Sequence, residues 1–148
     1  MQSLLRATSQ ELPDRLRALA LTETPVISDD PDPDIGLSWR LPTTGMEVSF
    51  DEGRVSTIFL YGKERDGFSI FAGQLPLDLI WDKSFQTVLR DHSDASRLSH
   101  GSDSGTTPLG PVPPWIRYDT EAYCTHIQFC LDESRIDMVT IMTPERAP

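Results

Sequence analysis

The chain has 148 residues, 38% of them apolar, and a formal net charge of −10. This length suits a single domain over residues 1–148. The excess of carboxylates argues against binding to nucleic acid or to an anionic membrane, because either polyanion would be repelled, and it favours a basic partner. The first residues lack the apolar run of a signal peptide and no stretch reaches transmembrane length, so the cytoplasm is the expected location.

The first half of the chain predicts a helix, an acidic connector and several strands. Leu12, Leu16 and Leu19 recur at one-face spacing and place a helix over residues 10–21. Residues 22–34 end in alternating Asp and Pro, and we expect an exposed loop there because Pro lacks the donor that a sheet interior needs. Strands are expected at 36–41, 46–50, 54–61 and 68–71, with a glycine-containing turn at 51–53.

The second half repeats this order of elements. Ser84 is a predicted N-cap for a helix whose inner face holds Phe85 and Val88. Residues 93–114 are rich in Ser, Gly, Asp, Thr and Pro and predict a long loop without apolar periodicity. Strands are expected at 114–119, 123–131 and 135–142.

The two halves carry similar hairpins, one at residues 46–61 and one at residues 125–142. In this alignment Val48 matches Ile127 and Phe50 matches Phe129. The match predicts a tandem repeat of helix plus β-hairpins, with units at residues 10–73 and 75–143. The predicted fold class is α+β, with two helices packed on an antiparallel sheet or on two small sheets.

The sequence contains no stretch with the spacing of a catalytic, phosphate-binding or metal-binding motif. Cys124 and Cys130 would lie about 20 Å apart in one extended strand, too far for a disulfide. A dyad of either thiol with His126 is conceivable, but neighbours on one strand face would need an unusual tilt to activate the thiol. We therefore expect a protein without enzymatic activity, cofactor or metal.

Carboxylates cluster in the Asp-Pro connector, in the turn at 51–53 and in the polar turn at 63–67. Clustered carboxylates steer a basic partner into place and repel acidic ones. The predicted partner-binding residues are Asp29, Asp30, Asp32, Asp34, Asp51, Glu52, Glu64 and Asp66.

Short segments along the chain match a known group of proteins. They are Leu75–Leu79, Ser84 with Val88, Trp115–Asp119 and Ile136–Met142. Over roughly residues 36–145 the chain resembles the small single-domain immunity proteins encoded beside toxins in bacterial polymorphic-toxin and type VI secretion clusters. The resemblance implies a non-enzymatic protein that binds and neutralises one cognate toxin, covering a basic active-site cleft. A non-enzymatic adaptor or scaffold unrelated to toxins is the alternative.

In architecture the chain also resembles the helix-plus-sheet tandem of the β-lactamase inhibitor protein and of the related outer-membrane assembly lipoprotein domain. Those proteins usually have a Leu-Gly-x-Pro turn after the helix, whereas Arg90–Ser93 stands there in this chain.

Overall fold

The computed structural model describes residues 1–29, 36–99, 106–107 and 110–147. Within these ranges, helices α1 (Leu12–Ala18) and α2 (Phe85–Asp91) accompany a large antiparallel sheet in an α+β fold. The strands are β1 Val26–Asp29, β2 Leu37–Leu41, β3 Met46–Asp51, β4 Arg54–Tyr61, β5 Arg97–Ser99, β6 Thr106–Thr107, β7 Gly110–Pro111, β8 Trp115–Asp119, β9 Cys124–Phe129 and β10 Ile136–Met142.

The main sheet has eight strands in the order β1-β2-β3-β4-β10-β9-β8-β5, and β6 pairs with β7 separately. The first four strands form a meander, and β4 then pairs antiparallel with β10, the last strand of the chain. The hairpins β3–β4 and β9–β10 therefore occupy corresponding places on either side of the β4–β10 pairing. The strand order is compatible with a repeat, but a tandem duplication stays a prediction.

Each α-helix begins where the sequence provides a start signal. Pro13 lies in the first turn of α1, where a missing N–H is tolerated. The Ser84 side chain caps α2 by accepting a hydrogen bond from the backbone N–H of Thr87 at 3.3 Å. The Phe85 ring meets the ring of Phe129 on β9 edge-on, with centroids 5.2 Å apart, so α2 packs directly on the sheet.

One face of the sheet joins the helices in a single hydrophobic cluster. Period-two alternation sends the apolar residues of adjacent strands to this covered face, as a half-buried sheet requires. Register aligns them, together with the buried hydroxyl residue Thr125, in two buried rows, Trp39–Val48–Ile58–Ile141–Thr125–Tyr118 and Leu41–Met46–Leu60–Val139–Ile127–Ile116.

Three sequence predictions were wrong in detail. The connector at 22–34 contains the edge strand β1, which begins directly after Pro25. The predicted loop at 93–114 contains the short strands β5, β6 and β7. The segment 68–71 is not a strand of the sheet. Its N–H groups bind elsewhere: Ser69 N–H donates to the carbonyl of Pro42 in the β2–β3 turn, and Phe71 N–H donates to the carbonyl of Tyr61 at the end of β4.

No helix in the described part of the chain is both long enough and apolar enough to cross a membrane.

Candidate functional site

The face of the sheet opposite the helices carries a mixture of polar, charged and aromatic side chains, and we call it the helix-free face. One row of register partners crosses all eight strands, and a second, shorter row lies beside it. The rows are Val26–Arg40–Glu47–Phe59–Thr140–His126–Arg117–Arg97 and Tyr61–Met138–Gln128–Trp115. Phe59, Tyr61 and Met138 lie at the centre of this face and are partly exposed, whereas the arginines of these rows lie on the outer strands β2, β8 and β5.

Next to Tyr61, at the end of β4, arginine and aromatic side chains form a packed cluster. The rings of Tyr61 and Phe68 lie 4.4 Å apart. The guanidinium of Arg40 lies 4.7 Å from the Phe68 ring centre, and that of Arg65 lies 5.9 Å from the Tyr61 ring centre. Such cation–π contacts restrict long side chains before any partner arrives, and so reduce the entropy lost on binding.

The phenol of Tyr61 is held as a neutral donor. Its hydroxyl donates to Glu47 Oε2 at 3.1 Å. Burial, reinforced by the charge of Glu47, raises the pKa of Tyr61 well above its usual value. The hydrogen bond ties β4 to β3 on the helix-free face, and it keeps the Glu47 carboxylate engaged within the protein.

Two adjoining concavities open beside this cluster. The first, about 420 Å³, has Phe59, Tyr61 and Met138 in its wall, and the second, about 580 Å³, extends toward the β9–β10 turn. Arg65 and Gln128 line both, so the two concavities adjoin, and we call the two together the sheet groove. Its walls come from β3 and β4 of the first half and from β9 and β10 of the second.

An ion pair between a buried carboxylate and a partly exposed lysine lies at the wall of the second concavity. Asp137 is almost fully buried, and its Oδ2 lies 2.5 Å from Lys63 Nζ, while its Oδ1 accepts from the Cys130 thiol at 3.4 Å. Arg135 also lines this concavity, and hydrogen bonding to Cys130 is the main cause of the raised pKa of its guanidinium. The buried carboxylate is thereby satisfied within the protein.

Cys124, the other cysteine, does not have the surroundings of a nucleophile. The guanidinium of Arg117 lies 2.5 Å from Asp119 Oδ1 and 3.9 Å from the Cys124 sulfur. Burial, followed by the nearby Asp119, raises the pKa of the Cys124 thiol, whereas a reactive thiol needs a lowered pKa. The ring of His126 packs against Trp115 at 5.3 Å, and burial followed by the charge of Arg117 lowers its pKa.

The predicted acidic site residues divide between the two ends of the sheet. Asp29 ends β1 opposite Leu37, at the end of the sheet that also holds the β3–β4 turn with Asp51 and Glu52. Asp51 is paired with Arg146, at 2.7 Å, and Glu52 makes no ion pair within the described ranges. Asp30, Asp32 and Asp34 lie outside the described residues.

Glu64 and Asp66 follow the opposite end of β4, and both are exposed. The eight residues of β4 span about 23 Å at 3.3 Å per residue, so these two carboxylates lie far from the Asp51–Glu52 turn. The structure therefore does not unite the predicted acids in one patch. It places them at both ends of the strand that lines the sheet groove.

Apart from Asp66, which lines the first concavity, the groove residues were missed by sequence reasoning. Tyr61 and Arg65 are far in sequence from Gln128 and Met138, and the two pairs meet only because β4 pairs with β10. The available signal was the alternation along β4, where Thr57, Phe59 and Tyr61 form the half-exposed set. Aromatic residues at such positions are more typical of a binding surface than of a simple solvated face.

Function must be inferred from this surface and from the charge of the chain. Within the described residues, no three His, Cys, Asp or Glu side chains come together as a metal site. No protein-family model matches the chain, and no solved structure matches it significantly.

Proposed function

We propose that this chain is an immunity protein that binds a cognate bacterial toxin, a secreted effector, and neutralises it by protein–protein contact. It acts without catalysing a reaction and without a cofactor, in the cytoplasm of the cell that it protects. The observation that carries this proposal is the helix-free face, where a shallow groove lined by aromatic, Met and Arg side chains crosses the centre of the sheet.

The composition of the groove favours a protein partner. Tyr, Phe, Met and Arg are enriched at protein interfaces, and Tyr and Arg are frequent hot-spot residues. Phe59, Tyr61 and Met138 are half-buried here, and their strands are fixed from the other side by a buried core. A rigid, partly apolar surface of this kind binds without a large ordering cost.

The distribution of charge favours a basic partner. Exposed carboxylates lie at both ends of the sheet, Glu52 at one end and Glu64 with Asp66 at the other, where Asp66 also lines the groove. The whole chain carries a net charge of −10. A basic cleft approaching this face would be attracted from both ends. Glu52, Glu64 and Asp66 are the described, exposed carboxylates that we assign to this steering role. On the sequence alone we assign Asp29, Asp30, Asp32, Asp34 and Asp51 to the same role, and Asp51 would act from its ion pair with Arg146.

The direct test is protection. The chain would be co-expressed with the toxic domain encoded by the adjacent gene, and growth would be compared with and without it. The proposal requires restored growth together with a purified complex of the two proteins. A stable complex without protection would indicate an adaptor or scaffold, and neither binding nor protection would refute the proposal.

The steering role has its own measurement. Reversing Glu52 and Glu64 to Lys is expected to slow association with the toxin about tenfold at low salt, because the attraction at both ends of the groove is lost. Asp14→Lys, on the exposed side of α1, is the control for each single reversal, Glu52→Lys or Glu64→Lys, because it changes the net charge equally but on the helix-covered side of the sheet. Equal association rates for the double variant and the wild type would remove the steering role.

A further inference from the structure

We infer that the outer edge of β1 receives an extended segment of the partner as an additional strand of the main sheet, and that this segment carries Lys or Arg at the Asp29 end of β1. The inference rests on the proposed function for the identity of the partner. It goes further in naming a second contact surface and the way in which the partner binds there.

The backbone of β1 has a strand on one side only. β1 pairs with β2 in a regular antiparallel register, from Val26 opposite Arg40 to Asp29 opposite Leu37, and it ends the strand order of the main sheet. In an antiparallel ladder every second residue directs its N–H and C=O away from its neighbour. Within the described residues these outward groups meet no other strand, and they are the groups with which an added strand forms hydrogen bonds.

The side chains of β1 are apolar and exposed on both faces of the sheet. Val26 is 57% exposed and shares the helix-free face with its register partner Arg40, whereas Ile27 is 59% exposed and shares the covered face with Trp39. Edges that are protected from pairing commonly carry Lys, Pro or a bulge. β1 contains neither Lys nor Pro, and its register with β2 has no bulge, so the edge is open to an added strand.

An apolar concavity of about 380 Å³ extends the covered face at this edge. Its apolar lining residues are Pro13, Leu16, Leu21, Pro25 and Trp39. Glu23 also lines it, but its carboxylate already accepts from the backbone N–H groups of Thr43 and Thr44. The partner segment therefore covers an apolar surface on this face in addition to Ile27.

The charge around β1 identifies the occupant. From residue 18 to residue 39 the sequence contains no Lys, Arg or His, whereas it contains five carboxylates, one of which is Asp29 at the end of β1. A segment with Lys or Arg is attracted to such an edge. A second copy of this chain, which also carries a net charge of −10, is repelled from it.

The edge also adjoins the surface that we assign to the toxin. Val26 is the first member of the row of register partners that crosses the helix-free face, and it lies two strand spacings, about 10 Å, from Glu47 at the groove. A partner bound at the sheet groove can therefore extend a segment along this row to β1. Because β1 is short, the added strand supplements the contact on the helix-free face and aligns the partner on it.

The first test is residue-resolved amide hydrogen exchange of the purified full chain, with and without the toxic domain encoded by the adjacent gene. The outward N–H groups of residues 26–29 should exchange rapidly in the free chain at every protein concentration. Formation of the complex should slow them about tenfold or more, because they then bind the added strand. Unchanged exchange in the complex would overturn the inference. Protection in the free chain would overturn it as well, because this chain or a second copy would then already cover the edge.

The second test places a charge on the edge. Ile27→Lys should weaken toxin binding about tenfold, because an added strand would bury the ammonium on the covered face. The matched control is Ile80→Lys, since Ile80 is 60% exposed and lies outside the strands, and it should bind as wild type does. Folding of both variants is checked by their melting temperatures, and equal affinities of the two variants would refute the added strand.

The basic side chain of the segment is tested by Asp29→Asn. This variant should bind the toxin more weakly than wild type at low salt and approach wild type at high salt, because screening removes the attraction in both proteins. Equal affinities at low salt would contradict the assigned charge of the segment.

The outcomes separate this inference from the proposed function. If the Ile27→Lys variant binds and neutralises the toxin as wild type does, the edge contact is wrong and the immunity role stands. If no toxin is neutralised, a phage-displayed library of random decapeptides is selected on the purified chain. Enrichment of apolar peptides with Lys or Arg that protect residues 26–29 would then retain the edge contact without the immunity role, and enrichment of acidic peptides or protection elsewhere would overturn it.

Discussion

Replacing Gly45 with alanine should destabilise the protein by about 2–5 kcal/mol. Gly45 has a φ of +75°, and a Cβ there would lie 2.3 Å from Ser69 O and 2.6 Å from Phe71 N. These backbone atoms belong to a segment fixed by hydrogen bonds to Pro42 and Tyr61, so they cannot withdraw as a flexible side chain would. The left-handed conformation contributes about 1–2 kcal/mol and the crowding about 1–3 kcal/mol more.

Gly53→Ala is the matched control. Gly53 has nearly the same φ, +74°, but a Cβ there would meet nothing within 4 Å. It should lose only the conformational part, about 1–2 kcal/mol. Urea denaturation measures both losses. A lower midpoint with an unchanged dependence of the unfolding free energy on urea shows that the variant has lost stability. Equal losses for the two variants would refute the claim that Gly45 is required for the close approach of the 69–71 segment.

Three further changes test local features. Glu52→Asn should raise the melting temperature, because Glu52 has a φ of +47° in the β3–β4 turn and Asn adopts that conformation more easily, by up to about 1 kcal/mol; a lower melting temperature would contradict this. Burial raises the pKa of Glu23, but hydrogen bonds from Thr43 and Thr44 outweigh it and leave the pKa below the ordinary value of 4.5. The stability that this depressed pKa provides is present above pH 4.5 and lost as the pH falls through the folded-state pKa, so Glu23→Gln should be less stable than wild type at pH 7 and approach it in acid; a gap independent of pH would contradict this. Burial and then the charge of Arg117 lower the pKa of His126 below 6.5, so the unfolded chain binds the proton more readily and wild type should lose stability as the pH falls below 6.5. His126→Gln should remove part of that loss in chemical denaturation between pH 7 and pH 5, and parallel pH profiles would argue against the assignment.

Local patterns predicted the hairpins because their information is local. Alternation of apolar residues and the Glu52–Gly53 turn are enough to define β3 and β4, and the same alternation defines β9. The Ser84 cap likewise located α2. Strand β1 was missed because the Asp-Pro residues after it dominate the composition of that region, although an edge strand can follow directly after Pro25.

The candidate site was less predictable because it depends on long-range pairing. The groove exists only where β4 meets β10, and no local pattern specifies that pairing. The acidic residues were identified by composition, but sequence spacing could not show that Asp51 is neutralised by Arg146, which lies 95 positions away. Nor could it show that Glu64 and Asp66 follow the far end of β4.

The pairing of β4 with β10 has a consequence for synthesis on the ribosome. Until residues 136–142 have emerged, a nascent chain that has completed β4 presents the backbone of residues 54–61 as a bare edge. Such edges template pairing between molecules, and closure across about 80 intervening residues is slow compared with hairpin formation. A stalled or truncated product that ends before β10 should therefore aggregate, whereas the completed chain closes its own edge.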